Sequence, residues 1–489
     1  MSIFFLLIGD VIMNKKILDS YKNMNASTKA GFWFVICNFL QKGIAFISVP
    51  IFTRLMTADQ YGYVSLYNAW EGIFMIFATL NISGSAYSRG LVDYEHKKFT
   101  SIIQAISTTF TIVLFIIVLV FKHFFVTITE INFHVIILMF IYFLFETGLS
   151  LWCVKERFNY KYKKLIFVIL LNTVLTTLAG IVAVLVFKNK GEAKIIATLL
   201  VMILIALPFY IKNFSDGQKI FDKRIWQYAL LFALPLIPHY LSNIVLNQSD
   251  KIMISKFCGV EAVAFYGVAY SIGSILRVLI DAIIASLTPW RYKCFKEKKY
   301  SEVNKASLKL LLVVGVIVVL INMLAPEVLM IFADKEYAQA VWVIPPIVLS
   351  MYFIFLYNFF SSVEFYFLQT RFMMIASIFS AALNVILNLL FINKYGYIAC
   401  AYTTLFCYIT YCVCHYIYMT IICKKKIDNE KIYDIRSIIY ITILCIVTTV
   451  ASTFTYNFLI IRYFLIFIIT LLLFIFRNKI LSIFKGVKS

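Results

Sequence analysis

Acidic residues are scarce in this chain. Its 489 residues hold 24 Asp and Glu against 45 Lys and Arg, a formal net charge of +21, and charged residues of all kinds make up only 14%. A soluble domain averages about 25% charged residues, so this chain cannot clothe a globular surface in solvated charge. The five histidines are dispersed, no acid pair stands at a fixed spacing, and no Gly-rich phosphate loop or Walker motif is present. Catalytic chemistry, metal-dependent chemistry and nucleotide hydrolysis therefore lack their residue patterns. The ten cysteines show neither metal nor disulfide spacing. Cys412 and Cys414 form a C-x-C, but they lie inside an apolar run and read as small buried hydrophobes. No catalytic residue, metal ligand or cofactor is expected. Long polar connections are also missing, which leaves no room for a soluble domain between apolar runs.

What the chain has instead is apolar length. It is 62% hydrophobic, with a mean hydropathy of +0.90. A spanning helix needs about 20 mostly apolar residues, and fourteen such runs can be read, at 30–53, 64–86, 101–121, 133–153, 165–187, 195–211, 228–248, 260–286, 306–324, 339–361, 372–392, 397–421, 437–454 and 458–476. The fold class is an all-α polytopic membrane protein. The first twelve residues carry a short apolar run and read as an extension upstream of a natural start at Met13.

The basic residues set orientation. With the N-terminus inside, 32 of the 45 Lys and Arg fall in cytoplasmic segments and 10 in the outward ones or at their edges. Lys42, Arg277 and Lys309 lie within spans. Both termini are thus predicted to be cytoplasmic, in a multi-pass protein of the cell's inner membrane. The net charge is a topology signal and a source of attraction to anionic membrane lipids; scattered between apolar runs, it is not a nucleic-acid signal.

A faint internal repeat runs through the chain. A shift of 205 residues pairs Asn38 with Asn243, Ile47 with Ile252, Phe52 with Phe257, Tyr61 with Tyr266 and Gly62 with Gly267, all identities. It aligns span one with span seven. Six intervening spans are an even number, so the halves share one orientation, as in parallel repeats related by an axis along the membrane normal. The expected architecture is two six-helix bundles around a central cavity, with two additional C-terminal helices. The expected boundaries are a cytoplasmic N-terminal segment at 1–29, bundles at 30–212 and 213–421, and the two extra helices with a tail at 422–489.

Charge at membrane depth costs roughly 2.5–3.5 kcal/mol per residue on insertion scales and marks pathways or partners. Lys42 lies halfway along span one, Arg54 nears its outer end, and Glu71 in span two can partner either. Span seven is interrupted at Pro235 and Pro238, then carries His239, Asn243, Asn247, Gln248, Asp250 and Lys251. Proline breaks are tolerated where freed carbonyls line a cavity; the plainer reading ends this span at Asn247. In span eight, Arg277 and Asp281 stand four apart on one face, either as a self-neutralised pair or as a cationic site whose Arg can be released to an anion. Glu146, Arg89 and Glu364 read as interfacial. Lys42, Arg54, Arg277, Asn243 and Asn247 are the expected substrate-binding residues; Glu71, Asp250, Lys251 and Asp281 are the expected coupling or ion-pairing ones.

The run Gln41-Lys42-Gly43-Ile44, then Pro50-Ile51-Phe52-Thr53-Arg54-Leu55, then Tyr61-Gly62, resembles the first two helices of Wzx-type polysaccharide flippases, in the superfamily that also holds MATE drug exporters and lipid II flippases. Asn247-Gln248-Ser249-Asp250-Lys251-Ile252 is similar to the polar end of the seventh helix in those flippases. The resemblance implies a flippase that carries undecaprenyl-pyrophosphate-linked oligosaccharide repeat units across a bacterial inner membrane by alternating access, for O-antigen, capsule or lipopolysaccharide assembly, alongside polymerase and chain-length machinery. The rival within the fold is a cation-coupled drug or metabolite exporter, whose cavity should be more acidic. The rival outside it is a membrane polysaccharide polymerase or ligase, which needs a large outer loop that this chain lacks.

Overall fold

The computed structural model describes residues 25–369, 371–428 and 430–475. The expected N-terminal extension and start at Met13 lie outside the described residues, as does the tail after 475. Among the described residues the secondary structure is entirely helical.

The long helices are α1 (Ala26–Leu55), α2 (Ala58–Thr79), α3 (His96–Val120), α4 (Phe133–Phe158), α5 (Tyr162–Val186), α6 (Lys190–Gly217), α7 (Lys223–Ala233 and Ile237–Cys258, joined by the 3-10 turn Leu234–Leu236), α8 (Val260–Lys296), α9 (Tyr300–Met323), α10 (Ile344–Tyr366), α11 (Arg371–Tyr395), α12 (Tyr397–Lys426), α13 (Ile435–Phe454) and α14 (Leu459–Ile475). Each expected apolar run falls on one of them. Twelve are long and apolar enough to cross a membrane; α2 and α14 are not among the twelve. Among the described residues this measure supports twelve spans and does not confirm the expected fourteen. The reasons are local. Helix α2 carries Asp59, Gln60, Asn68 and Glu71, which dilute its apolar character, and α14 has only 17 residues.

Some boundaries also move. The sixth apolar run is short because Lys190, Glu192 and Lys194 precede it, yet α6 begins at Lys190 and runs 28 residues. Helix α7 continues past Asn247 to Cys258. Its 3-10 interruption falls at Leu234-Pro235-Leu236, where Pro235 and Pro238 lack backbone N–H donors.

The packing repeats six helices on. In the first half α1 packs on α5, α4 on α6 and α5 on α6; in the second, α7 packs on α11, α10 on α12 and α11 on α12. This repeated pairing is the packing that the six-helix repeat predicts. The largest apolar core belongs to the second half and is centred on α10, whose residues from Ile344 to Leu356 are all buried. Helix α13 leans on α9 and α10, and the α9–α10 connection forms a short helix (Ala325–Phe332) followed by a 3-10 segment (Lys335–Trp342).

Candidate functional site

The halves meet where α2 crosses α8, the repeat mates of one another. A Cβ on Gly62 would sit 2.0 Å from the carbonyl oxygen of Val260, and one on Gly267 would sit 2.9 Å from Oγ of Ser65. Each half thus contributes its repeated glycine to the seam. The turn into α8 is made by Gly259, at φ +90°, a region that side-chain-bearing residues avoid.

The α1–α2 turn is knit to the second half. Arg54 donates to the carbonyls of Met330 at 3.2 Å and Ile331 at 3.0 Å, and the Thr53 hydroxyl donates to the carbonyl of Phe332 at 2.7 Å. These are terminal carbonyls of the Ala325–Phe332 helix, which have no partner within it. Ala58 N–H donates to Glu336, and Lys190 Nζ donates to the Leu55 carbonyl at 2.7 Å. This end of the bundle is closed.

Lys42 is elsewhere. It lies twelve residues before Arg54 on α1, a rise of about 18 Å, and is exposed to a cavity of about 330 Å³ between α1, α5 and α6. Lys194, Asn172 and Thr176 share that cavity, with Gln41 beside Lys42. Lys194 Nζ stands 3.7 Å from the centre of the Phe52 ring, a cation–π contact. Glu71 on α2 has Glu146 on α4 as its electrostatic neighbour, with Tyr67 and Tyr142 around them.

The second half holds a polar network that joins four helices. Asn247 accepts from Tyr270 OH at 3.1 Å and Tyr408 OH at 3.0 Å, and donates to the Asn243 carbonyl at 2.6 Å; Asn243 donates to the His239 carbonyl at 3.0 Å. Lys251 Nζ lies 5.3 Å from the Tyr270 ring centre. One turn along, the buried Asp250 carboxylate accepts from Thr404 and Asn388, both at 2.7 Å, and from Tyr266. Asn384 donates to Thr404 at 2.9 Å and accepts from Ser249 at 3.0 Å. Four helices thus converge on one carboxylate, and its oxygen-rich surroundings are of the kind hard cations prefer. Among the described residues no group of three His, Cys, Asp or Glu is placed to hold a metal ion.

Arg277 Nε donates to Asp281 at 2.9 Å, with side chains 38% and 57% exposed, so the pair stands open rather than sealed. It lies seven residues from Tyr270, on the same helical face. The structure therefore joins Asn243, Asn247, Asp250 and Lys251 in one region and pairs Arg277 with Asp281, while Lys42 and Arg54 occupy separate settings.

Sequence reasoning missed several groups. Glu364, read as interfacial, is fully buried and bonded to His415 at 2.7 Å, a link between α10 and α12. Arg462, counted at the edge of an outward segment, is buried on α14 and bonded to Glu327. Arg291, 2% exposed, donates to the Asn358 carbonyl at 3.3 Å and faces the Phe359 ring. No local pattern announces these pairs, because the partners lie 51, 135 and 67 residues apart.

Helices whose packing repeats six on, meeting at a seam closed at one end and carrying polar groups inside the bundle, define a polytopic all-helical membrane fold. The chain belongs to the polysaccharide biosynthesis protein family, whose match covers residues 27–295. The fold is similar to that of the lipid II flippase MurJ in its inward closed conformation, at a TM-score of 0.69 and 15% identity, over 91% of this chain and 99% of that one. It is also similar to an inward-facing multidrug resistance MATE family transporter of the MOP superfamily, at a TM-score of 0.60 and 14% identity, over 77% and 93%. Among curated proteins, Lsg locus protein 1 of Haemophilus influenzae is 23% identical across 54% of this chain and 66% of its own length. An uncharacterized membrane protein of the same organism is 24% identical across 71% and 86%.

Proposed function

We propose that the protein is a flippase for lipid-linked oligosaccharides, moving undecaprenyl-pyrophosphate-linked repeat units from the cytoplasmic to the outer leaflet of a bacterial inner membrane during surface polysaccharide synthesis. The observation that carries this reading is the two-half fold with polar and basic groups at membrane depth, on a chain of the polysaccharide biosynthesis family. A pyrophosphate does not cross hydrocarbon unaided. Lys42 and Arg277 offer charge-assisted donors to it, and the half-buried Tyr270 beside Asn247 supplies a flat face for a sugar ring. Asn243 and Asn247 supply neutral hydrogen bonds, and Arg54 holds the closed end. Asp250 acts as the coupling group, taking up a cation or proton within its ring of hydroxyl and amide groups, with Lys251 beside it; Glu71 serves the same role in the first half.

The substrate is an O-antigen, capsule or related unit, which polymerase and chain-length machinery would use on the far side. The bundles are 30–212 and 213–421, both termini are cytoplasmic, and the protein performs no bond-making chemistry of its own. Inactivating the gene in its bacterium should abolish display of one surface glycan and cause the lipid-linked unit to accumulate inside; unchanged display would exclude this reading. One observation favours a second reading, a cation-coupled exporter of the same fold: Glu71, Glu146, Asp250 and Glu364 all lie inside the helical bundle. That reading requires changed drug or metabolite sensitivity with normal glycan.

A further inference from the structure

A second basic site lies apart from the seam, at the end of the first half where α4 turns into α5. The cavity there measures about 630 Å³. Five lysines line it, Lys155, Lys161, Lys163, Lys164 and Lys212, from α4, the α4–α5 turn, α5 and α6. Two acids, Glu156 and Asp216, also line it, leaving a net of +3. Among the described residues none of the five lysines forms an ion pair with either acid.

Topology alone asks only for positive charge somewhere on this side. It does not ask that the charge converge on one concavity from several elements while nearby carboxylates stay unpaired. The turn that delivers it is also specially shaped. Tyr160 adopts φ +56°, left-handed for a bulky residue, and Lys161 N–H bonds back to the Glu156 carbonyl at 2.9 Å. The wall is partly aromatic, with Lys164 Nζ 5.8 Å from the Trp152 ring centre. Several ammonium groups over a wide, open hollow suit a phosphate, which accepts many hydrogen bonds at once. The aromatic wall beside it suits a ligand with an apolar part.

We propose that this cavity binds a phosphate group at the membrane surface, as an anionic lipid headgroup or as a free phosphate compound, separately from whatever the seam carries. The full-length protein in detergent is titrated with phosphatidylglycerol, with phosphatidylcholine as the neutral comparison, and bound lipid is read by native mass spectrometry. The double variant Lys163→Gln/Lys164→Gln removes two exposed lysines of the cavity. Lys296→Gln/Lys298→Gln removes the same charge from the equally exposed α8–α9 turn. The cavity variant should bind phosphatidylglycerol about tenfold or more weakly, while the control stays within about twofold of wild type. Melting of both variants without lipid should match wild type, since neither pair is buried.

Inorganic pyrophosphate separates the two sources. If it displaces phosphatidylglycerol at millimolar concentration, the cavity recognises phosphate itself. If it does not, the lipid's chains take part and the ligand is a headgroup in place. Equal weakening by both double variants would overturn the proposal, because it would reduce the effect to general surface charge. Equal binding of the two lipids by the wild type would overturn it too. Glycan export measured in the cavity variant reports on the seam independently, so failure of one assignment does not imply failure of the other.

Discussion

Gly62 on α2 touches the backbone of Val260 at the start of α8, and no side chain fits between them: a Cβ would stand 2.0 Å from the Val260 carbonyl oxygen and 2.9 Å from its carbon. Backbone cannot rotate away as a flexible side chain can. Gly62→Ala should therefore push α2 and α8 apart at the closed end, at a cost of about 1–3 kcal/mol to this packing. Glycan export should fall while the protein still accumulates in the membrane. Gly72→Ala on the same helix is the comparison, because its Cβ would meet only Ile244 at 3.5 Å, ordinary contact. Equal export by both variants would show that the seam does not control transport.

Arg54 and Thr53 cap the carbonyls of Phe332, Ile331 and Met330 across the two halves. Arg54→Ala removes two of these bonds and leaves the helix end to water. The closed end should then open more often. Spin labels at positions 57 and 335, in a background without the ten cysteines, should show longer separations in the variant than in the parent. Unchanged separations would mean that the seam glycines alone hold this end.

The helices and the repeat were legible in the sequence because both are local or periodic. Fourteen apolar runs map onto fourteen helices, and the match of Tyr61-Gly62 with Tyr266-Gly267 marked the repeat, though not that the two glycines meet where α2 crosses α8. The span count does not follow as simply, because apolar length and helicity diverge in α2, whose polar residues are accommodated where it packs against α8. The site was legible only by residue type. Asp250 stood out as a charge on a broken helix, but its partners Asn384, Asn388 and Thr404 are unremarkable residues of α11 and α12 that matter only once the helices converge. Glu364 looked interfacial because it lies near a helix end; its burial depends on His415 arriving from α12. Lys194 reads as a loop residue because it sits among Lys188, Lys190 and Glu192, and only the fold turns it toward Phe52.

Asp250 accepts hydrogen bonds from three helices at once. Asp250→Ala leaves the donors of Tyr266, Asn388 and Thr404 buried without their acceptor, which costs about 1–3 kcal/mol for each unsatisfied group. A lower melting temperature follows. Asp250→Asn keeps the shape and loses the charge, so it should melt closer to wild type while losing any dependence of transport on external cation or pH. If Asp250→Asn transports with the wild-type cation and pH dependence, coupling lies elsewhere, and Glu71 is the next group to test.

The basic residues predict which end faces which compartment. Position 297 lies in the α8–α9 turn, beside Lys296 and Lys298, and is expected in the cytoplasm; position 59, in the first turn of α2, is expected outside. Single cysteines at these sites, in a cysteine-free background, are treated with an impermeant thiol reagent on intact cells. Position 59 should label and position 297 should label only after the cells are broken. The reverse pattern would invert the orientation and place the closed end of the seam inside.

Lys42 and Arg277 are the charges on which the flippase reading makes its sharpest predictions. Lys42 opens on a cavity of the first half shared with Lys194 and Thr176, and Arg277 stands in the second half with its guanidinium on Asp281. An exposed pair of this kind is screened and contributes little to stability, so neither Arg277→Ala nor Asp281→Asn should prevent folding. What they should change is export. If Arg277 meets a phosphate, Arg277→Ala abolishes glycan display, Asp281→Asn leaves much of it, and the double change stays inactive. If Arg277 serves only to neutralise Asp281, the two single changes are equally harmful and the double change restores display. Lys42→Ala should lose export and Lys42→Arg should keep part of it, since the charge survives but the reach and donor geometry differ. Lys42 opens on a first-half cavity that Arg277 does not line, so the flippase reading expects them to meet the substrate in different states of the cycle. Lys42→Ala and Arg277→Ala should then stall transport at different steps, seen as opposite shifts in the labelling of a cysteine at position 59. Normal glycan display by both variants would remove the anionic substrate from the argument and leave the exporter reading in its place.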